Sequence, residues 1–193
     1  MFEDKVKNET KLLFLVAFKY FAVKLGLSQA EVEMINVKVE QAKQRMGNKL
    51  SNSCHGACEG KYLDGELQEV NIYVKDQSNM GIIETLAHEM VHAKQNLKGE
   101  FEWVEKEVPF LFFFKVAIRT RSHAGQILSE TPYYEQKCEQ EAFSKSREMT
   151  REFLNFFNNL EQYGEAISFD KETGLFDRIL FDAIPTGSLK IHC

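Results

Sequence analysis

Residues 85–95 read Thr85-Leu86-Ala87-His88-Glu89-Met90-Val91-His92-Ala93-Lys94-Gln95. Apolar residues recur through and around this stretch at Ile82, Ile83, Leu86, Met90, Ala93 and Leu97, the three- and four-residue steps of one helix face. Asp76 and Ser78 offer helix-start chemistry and Gly99 a stop, so the pattern predicts a helix over 79–98. On it His88 and His92 stand four residues apart, about 40° around the axis, and both imidazoles leave one face. Two nitrogens so placed reach one ion at ~2.0–2.1 Å. Glu89 lies on the adjacent side, where its carboxylate meets a water on that ion as a base. A Lewis acid and a base flanking one water is the arrangement metal-assisted hydrolysis needs.

Such a site needs a third protein ligand. No histidine follows within ten residues of His92, and a second long helix supplies carboxylates instead. Thr131-Pro132 predicts its start, and its stripe runs Cys138, Ala142, Met149, Phe153, Phe156, Leu160 towards Gly164. Glu139 adjoins that stripe one turn before Phe143, Glu135 shares the sector one turn earlier, and Glu141 points about 200° away, towards solvent. Glu139 is therefore the expected third ligand and Glu135 the reserve.

Outward from these helices, residues 3–26 carry a further helical stripe from Leu12 to Leu27. Met34–Glu40 and Val70–Val74 alternate apolar and polar residues as strands do, with a turn-like segment carrying Gly47, Asn48, Gly56, Gly60 and Asp64-Gly65 between them. The expected fold is α+β: a small, mainly antiparallel sheet packed on the histidine helix and the glutamate helix, plus an N-terminal helix. The chain reads as one domain over 1–193, with a core at about 30–160 and a tail at 165–193. Residues 100–130 give no clear period.

The 193 residues carry a net charge of −5, with 44% hydrophobic and 27% charged residues, so disorder and fibrous architectures are excluded. The acidic balance speaks against nucleic acid as a partner, and three charges at Lys115, Arg119 and Arg121 do not reverse it. The apolar runs Leu12–Phe18 and Phe110–Phe114 are far short of the ~18 residues of a membrane span, and Glu3, Asp4 and Glu9 spoil a signal peptide. The expected location is the cytoplasm, with Cys54, Cys58, Cys138 and Cys193 as free thiols. Sixteen Phe against one Trp is the compositional oddity. Phe110, Phe112, Phe113 and Phe114 read as core or as an apolar wall beside a cleft.

At its two motifs the chain resembles the gluzincin metallopeptidases, in particular compact minigluzincin-like and phage-type members. Thr85–Gln95 is similar to their HExxHxxQ active-site helix, and Cys138-Glu139-Gln140-Glu141-Ala142 to the helix whose first Glu is the third zinc ligand. Val70–Val74 sits where those proteins place the edge strand of the substrate cleft. Cys138 stands where they commonly have Asn, and Phe143 where thermolysin-like members have an Asp supporting a zinc-bound His. The resemblance implies a zinc metallopeptidase with one Zn2+ on His88, His92 and Glu139, Glu89 as general base and a peptide or protein as substrate. Tyr133, Tyr134 and His123 are the candidate oxyanion donors. The alternative is a catalytically silent zinc-binding or partner-binding protein that retains the architecture.

Overall fold

The computed structural model describes residues 8–40, 55–75, 78–110, 114–158, 169–170 and 175–176. Among these residues, four helices, two three-stranded sheets and one two-stranded sheet make an α+β fold, as the sequence predicts. Helix α1 (Asn8–Lys24) and the short α2 (Gln29–Glu33) lead into β1 (Ile35–Glu40). Strands β2 (Gly56–Leu63) and β3 (Glu66–Lys75) form a hairpin over the turn Asp64-Gly65, where both residues adopt positive φ. Helix α3 (Asn79–Leu97) follows, then β4 (Phe101–Phe110), β5 (Phe114–His123) and β6 (Gln126–Ile127). A 3₁₀ turn at Tyr133–Glu135 precedes α4 (Lys137–Asn158), and β7 (Phe169–Asp170) pairs with β8 (Leu175–Phe176).

The first sheet has the order β1-β3-β2. Strand β3 is thus central, with β1 parallel on one side and β2 antiparallel on the other. This corrects the expectation that Val70–Val74 is an edge strand; the edge beside α3 is β2. The strand that buries most is the central one, and Val70, Ile72 and Val74 are all fully buried.

The core lies between this sheet and three helices. Phe14, Phe18 and Phe21 of α1 meet Ile83, Leu86 and Met90 of α3 and Met149 and Phe153 of α4. Phe21 and Phe153 make an edge contact at 5.6 Å, and Tyr20 stacks on Phe156 at 5.3 Å. Truncating a fully buried Phe of this kind costs about 3–5 kcal/mol. Much of the phenylalanine excess therefore holds α1 against the helices that carry the histidines and the glutamate.

Helix α3 begins where its capping chemistry predicts. The Ser78 hydroxyl accepts from the Gly81 amide, and Gly99 (φ 65°) ends the helix. Glu100 N–H donates to the Gln95 carbonyl and Gly99 N–H to the Asn96 carbonyl, a Schellman closure that turns Glu100 back over the last helical turn.

Helix α4 begins later than expected. Pro132 precedes the 3₁₀ turn, and Thr131 donates its hydroxyl to the Ile127 carbonyl rather than capping a helix. The Lys137 amide is satisfied instead by the Gln126 side chain at 2.7 Å, an acceptor eleven residues upstream. The end expected near Gly164 lies outside the described residues, as does most of the tail. The unassigned stretch 100–130 is largely the β4–β5 hairpin, paired from Phe101–His123 to Phe110–Phe114. Among the described residues no helix is long and apolar enough to cross a membrane.

Candidate metal centre

Three ligand atoms converge where α3 meets α4. His88 Nε2 and His92 Nε2 lie 3.2 Å apart, and the Glu139 carboxylate straddles them, with Oε2 3.3 Å from the first and Oε1 3.3 Å from the second. Ligands at ~2.0–2.1 Å from a tetrahedral ion are separated by ~3.3 Å, so the two nitrogens and one carboxylate oxygen have the spacing of such a site. Glu139 Oε2 is buried and has no hydrogen-bond partner, an orphan acceptor that a cation satisfies. His88, His92 and Glu139 are thus geometrically able to hold a metal ion.

Second contacts fix the ligands. His92 Nδ1 meets Gln95 Oε1 at 2.8 Å, so the ring donates there and leaves Nε2 for the ion. Gln95 is fully buried, and its Nε2 donates to the Cys138 carbonyl (3.1 Å) and to Glu141 Oε2 (3.0 Å). Glu141 therefore does not face solvent as expected. It ties α4 to the last turn of α3, where Lys94 Nζ (3.4 Å) and Lys145 Nζ (2.7 Å) also reach it. Burial raises its carboxyl, but Lys145, Gln95 and Lys94 prevail and hold it down at about 2. The His88 ring also contacts Phe143, ring centroids 4.7 Å apart.

Glu89 occupies the other flank. It is 6% exposed and lies against β2, where a Cβ added to Gly56 would come within 2.8 Å of its Oε1. Burial pushes its carboxyl up to about 7, with His92 opposing and Glu139 reinforcing the shift. Glu139 goes the other way. Burial alone would raise it, but His88, His92 and Tyr133 bring it down to about 2. Two carboxyls of one site are thus poised differently, one as a fixed anion and one as a group that exchanges protons near neutrality.

The remaining sequence candidates separate. Tyr133 hydrogen-bonds Glu139 and is at the site, half exposed. Tyr134 stacks on Phe143 with its ring largely in solvent. Glu135 is exposed in the 3₁₀ turn and does not join the cluster. His123 is buried elsewhere, over Phe101 and 3.7 Å from Glu100. Glu100, His123 and Glu141 form a second convergent group, but Lys94 bridges both carboxylates and supplies its cation. Phe112 and Phe113, and the side chains of Phe110 and Phe114, lie outside the described residues, as does Cys54.

Compared with family models, curated proteins and solved structures, the chain matches none. The site thus stands on its own geometry. Sequence reasoning missed Gly56 and Glu141. The first had a signal in Gly56-x-Cys58-x-Gly60, a strand face stripped of bulk; the second had none short of knowing where α3 ends.

Proposed function

We propose that this chain is a zinc-dependent peptidase in which His88, His92 and Glu139 hold the ion and Glu89 is the general base. The observation that carries the reading is the triad itself, two imidazole nitrogens 3.2 Å apart with a carboxylate oxygen of Glu139 3.3 Å from each, and a buried, proton-exchanging Glu89 beside them. The nitrogen and oxygen donor set suits zinc, and the resemblance to gluzincin motifs points to the same chemistry. A bound zinc supplies a Lewis acid that makes water a nucleophile near pH 7 and polarises a carbonyl.

The protein's own groups do the rest. Glu89 takes the proton of the attacking water and passes it to the departing amine, a role for which a carboxyl at about 7 is well matched. Gln95 keeps His92 in the tautomer that leaves Nε2 unprotonated. Tyr133, already within hydrogen-bond reach of Glu139, is the hydroxyl best placed to steady the developing oxyanion. The edge strand β2 flanks Glu89 and offers an extended peptide a backbone to lie along.

The test compares wild type with Glu89→Gln. Elemental analysis should find about one zinc per chain in both, and only wild type should cleave unfolded protein or a peptide library. Equal cleavage by both proteins would sink the proposal. Zinc retained with no cleavage by either would favour the silent binding protein.

A further inference from the structure

Along α3 the line of Glu89 and His92 continues one turn further to Asn96, and there, among the described residues, a cation stands without an anion. Arg121 of β5 donates from Nη2 to Asn96 Oδ1 at 2.8 Å. Asn96 is itself fixed, since its Nδ2 donates to the His92 carbonyl at 2.8 Å and Tyr62 donates its hydroxyl to the same Oδ1 at 3.2 Å. The guanidinium lies over Phe101, 3.9 Å from the ring centroid, with Trp103 at 6.0 Å. Its position is thus set by an aromatic floor and one amide oxygen.

Half-buried arginines are ordinarily paired with a carboxylate. Arg121 makes no ion pair among the described residues, and its Nε is buried without a partner. Of the five N–H donors a guanidinium offers, the Asn96 contact uses one. The arginine is also tied to the site, because the Asn96 amide that holds it donates to the Cys58 sulfur of β2 at 3.8 Å as well as to the His92 carbonyl. The neighbouring Glu102, Glu105 and Glu107 make a phosphate backbone an unsuitable occupant, whereas a single carboxylate matches one planar fork.

We propose that Arg121 is the anion-recognising residue of this site and takes a carboxylate of the peptide, either its C-terminal carboxylate or an acidic side chain. The inference rests on the peptidase reading and narrows its substrate class. Asn96 lies one helical turn, ~6 Å, beyond His92. An extended peptide advances ~3.3 Å per residue, so the recognised carboxylate falls about two residues from the scissile bond.

Trp103 is the sole tryptophan of the chain and stands beside Arg121, so its fluorescence reports occupancy. The experiment titrates the Glu89→Gln protein, with zinc supplied, with three hexapeptides of otherwise common sequence. One has an internal Glu and an amidated C-terminus, one an internal Gln and a free C-terminus, and one is neutral at both. At least one acidic peptide should bind about tenfold tighter than the neutral one, the worth of a charge-assisted pair, and which one it is identifies the source. Adding Arg121→Met should abolish the preference, and Arg121→Lys, which keeps the charge and the fold but loses the fork, should weaken it. No preference in the Glu89→Gln protein, or a preference that persists in Arg121→Met, overturns the proposal. If the preference depends on Arg121 while wild type cleaves none of the peptides, the carboxylate subsite stands and the peptidase reading falls. If wild type cleaves all three and Arg121→Met leaves their relative kcat/KM unchanged, the subsite falls alone.

Discussion

Gln95 Oε1 lies 2.8 Å from His92 Nδ1, and the same amide reaches across to α4 through its nitrogen. One side chain therefore orients a histidine of α3 and registers the helix that brings Glu139. Gln95 is fully buried, so both contacts are made away from bulk water.

Gln95→Ala should lower zinc affinity about 10–100-fold, the usual cost of losing a partner behind a metal-bound histidine. Glu141→Ala should weaken binding in the same direction by less, since the Cys138 carbonyl still holds the amide. Competition with a chromogenic chelator measures both. Unchanged affinity in Gln95→Ala would remove the orienting role.

Glu139→Ala should empty the site, while Glu135→Ala should leave occupancy at the wild-type level, because Glu135 is exposed and outside the convergent group. Zinc per chain after gel filtration decides between them. Loss of zinc in Glu135→Ala alone would transfer the third ligand to that residue.

Glu89 predicts a pH dependence in the metal-free protein. Its carboxyl keeps a proton up to about 7 when folded, against an ordinary value of 4.5. Between those values the folded chain binds more protons than the unfolded one, so this contribution to stability is complete below 4.5 and is lost as pH rises through 7. In chelator, Glu89→Gln escapes that loss. Its stability relative to wild type should grow by roughly 3 kcal/mol between pH 4.5 and 7.5. Denaturant melts at several pH values measure the gap, and parallel curves would contradict it.

Gly56→Ala should damage the site through packing alone. The added Cβ would stand 2.5 Å from Thr85 Cγ2 and 2.8 Å from Glu89 Oε1, so the strand or Glu89 must shift. Overpacking of this kind costs about 1–3 kcal/mol. Thermal denaturation should show that loss, and activity should fall while zinc binding persists, since the atoms nearest the new methyl belong to Thr85 and Glu89 and not to the three ligands.

The histidine helix was legible because its cap, its apolar stripe and its Gly99 stop all lie within about twenty residues and agree. The start of α4 was not, because the acceptor for Lys137 N–H comes from Gln126, outside any local pattern. The β4–β5 hairpin escaped for a different reason. Glu105, Glu107 and Arg119 lie exposed on one face while Ile118 is 40% exposed on the other, so no single buried face imposes an alternation. Glu141 was misjudged because a helical wheel knows only its own core stripe. The last turn of α3 reaches round to the opposite side and claims that carboxylate.

The three converging side chains come from two helices that the β4–β5 hairpin separates in the chain. A cation held by all three binds the docked pair of helices and has no equivalent grip on the unfolded chain. By mass action, each tenfold rise in free ion above the dissociation constant then adds about 1.4 kcal/mol to the stability of the whole chain. Metal supply in the surroundings would set how long a molecule survives as well as whether it can act.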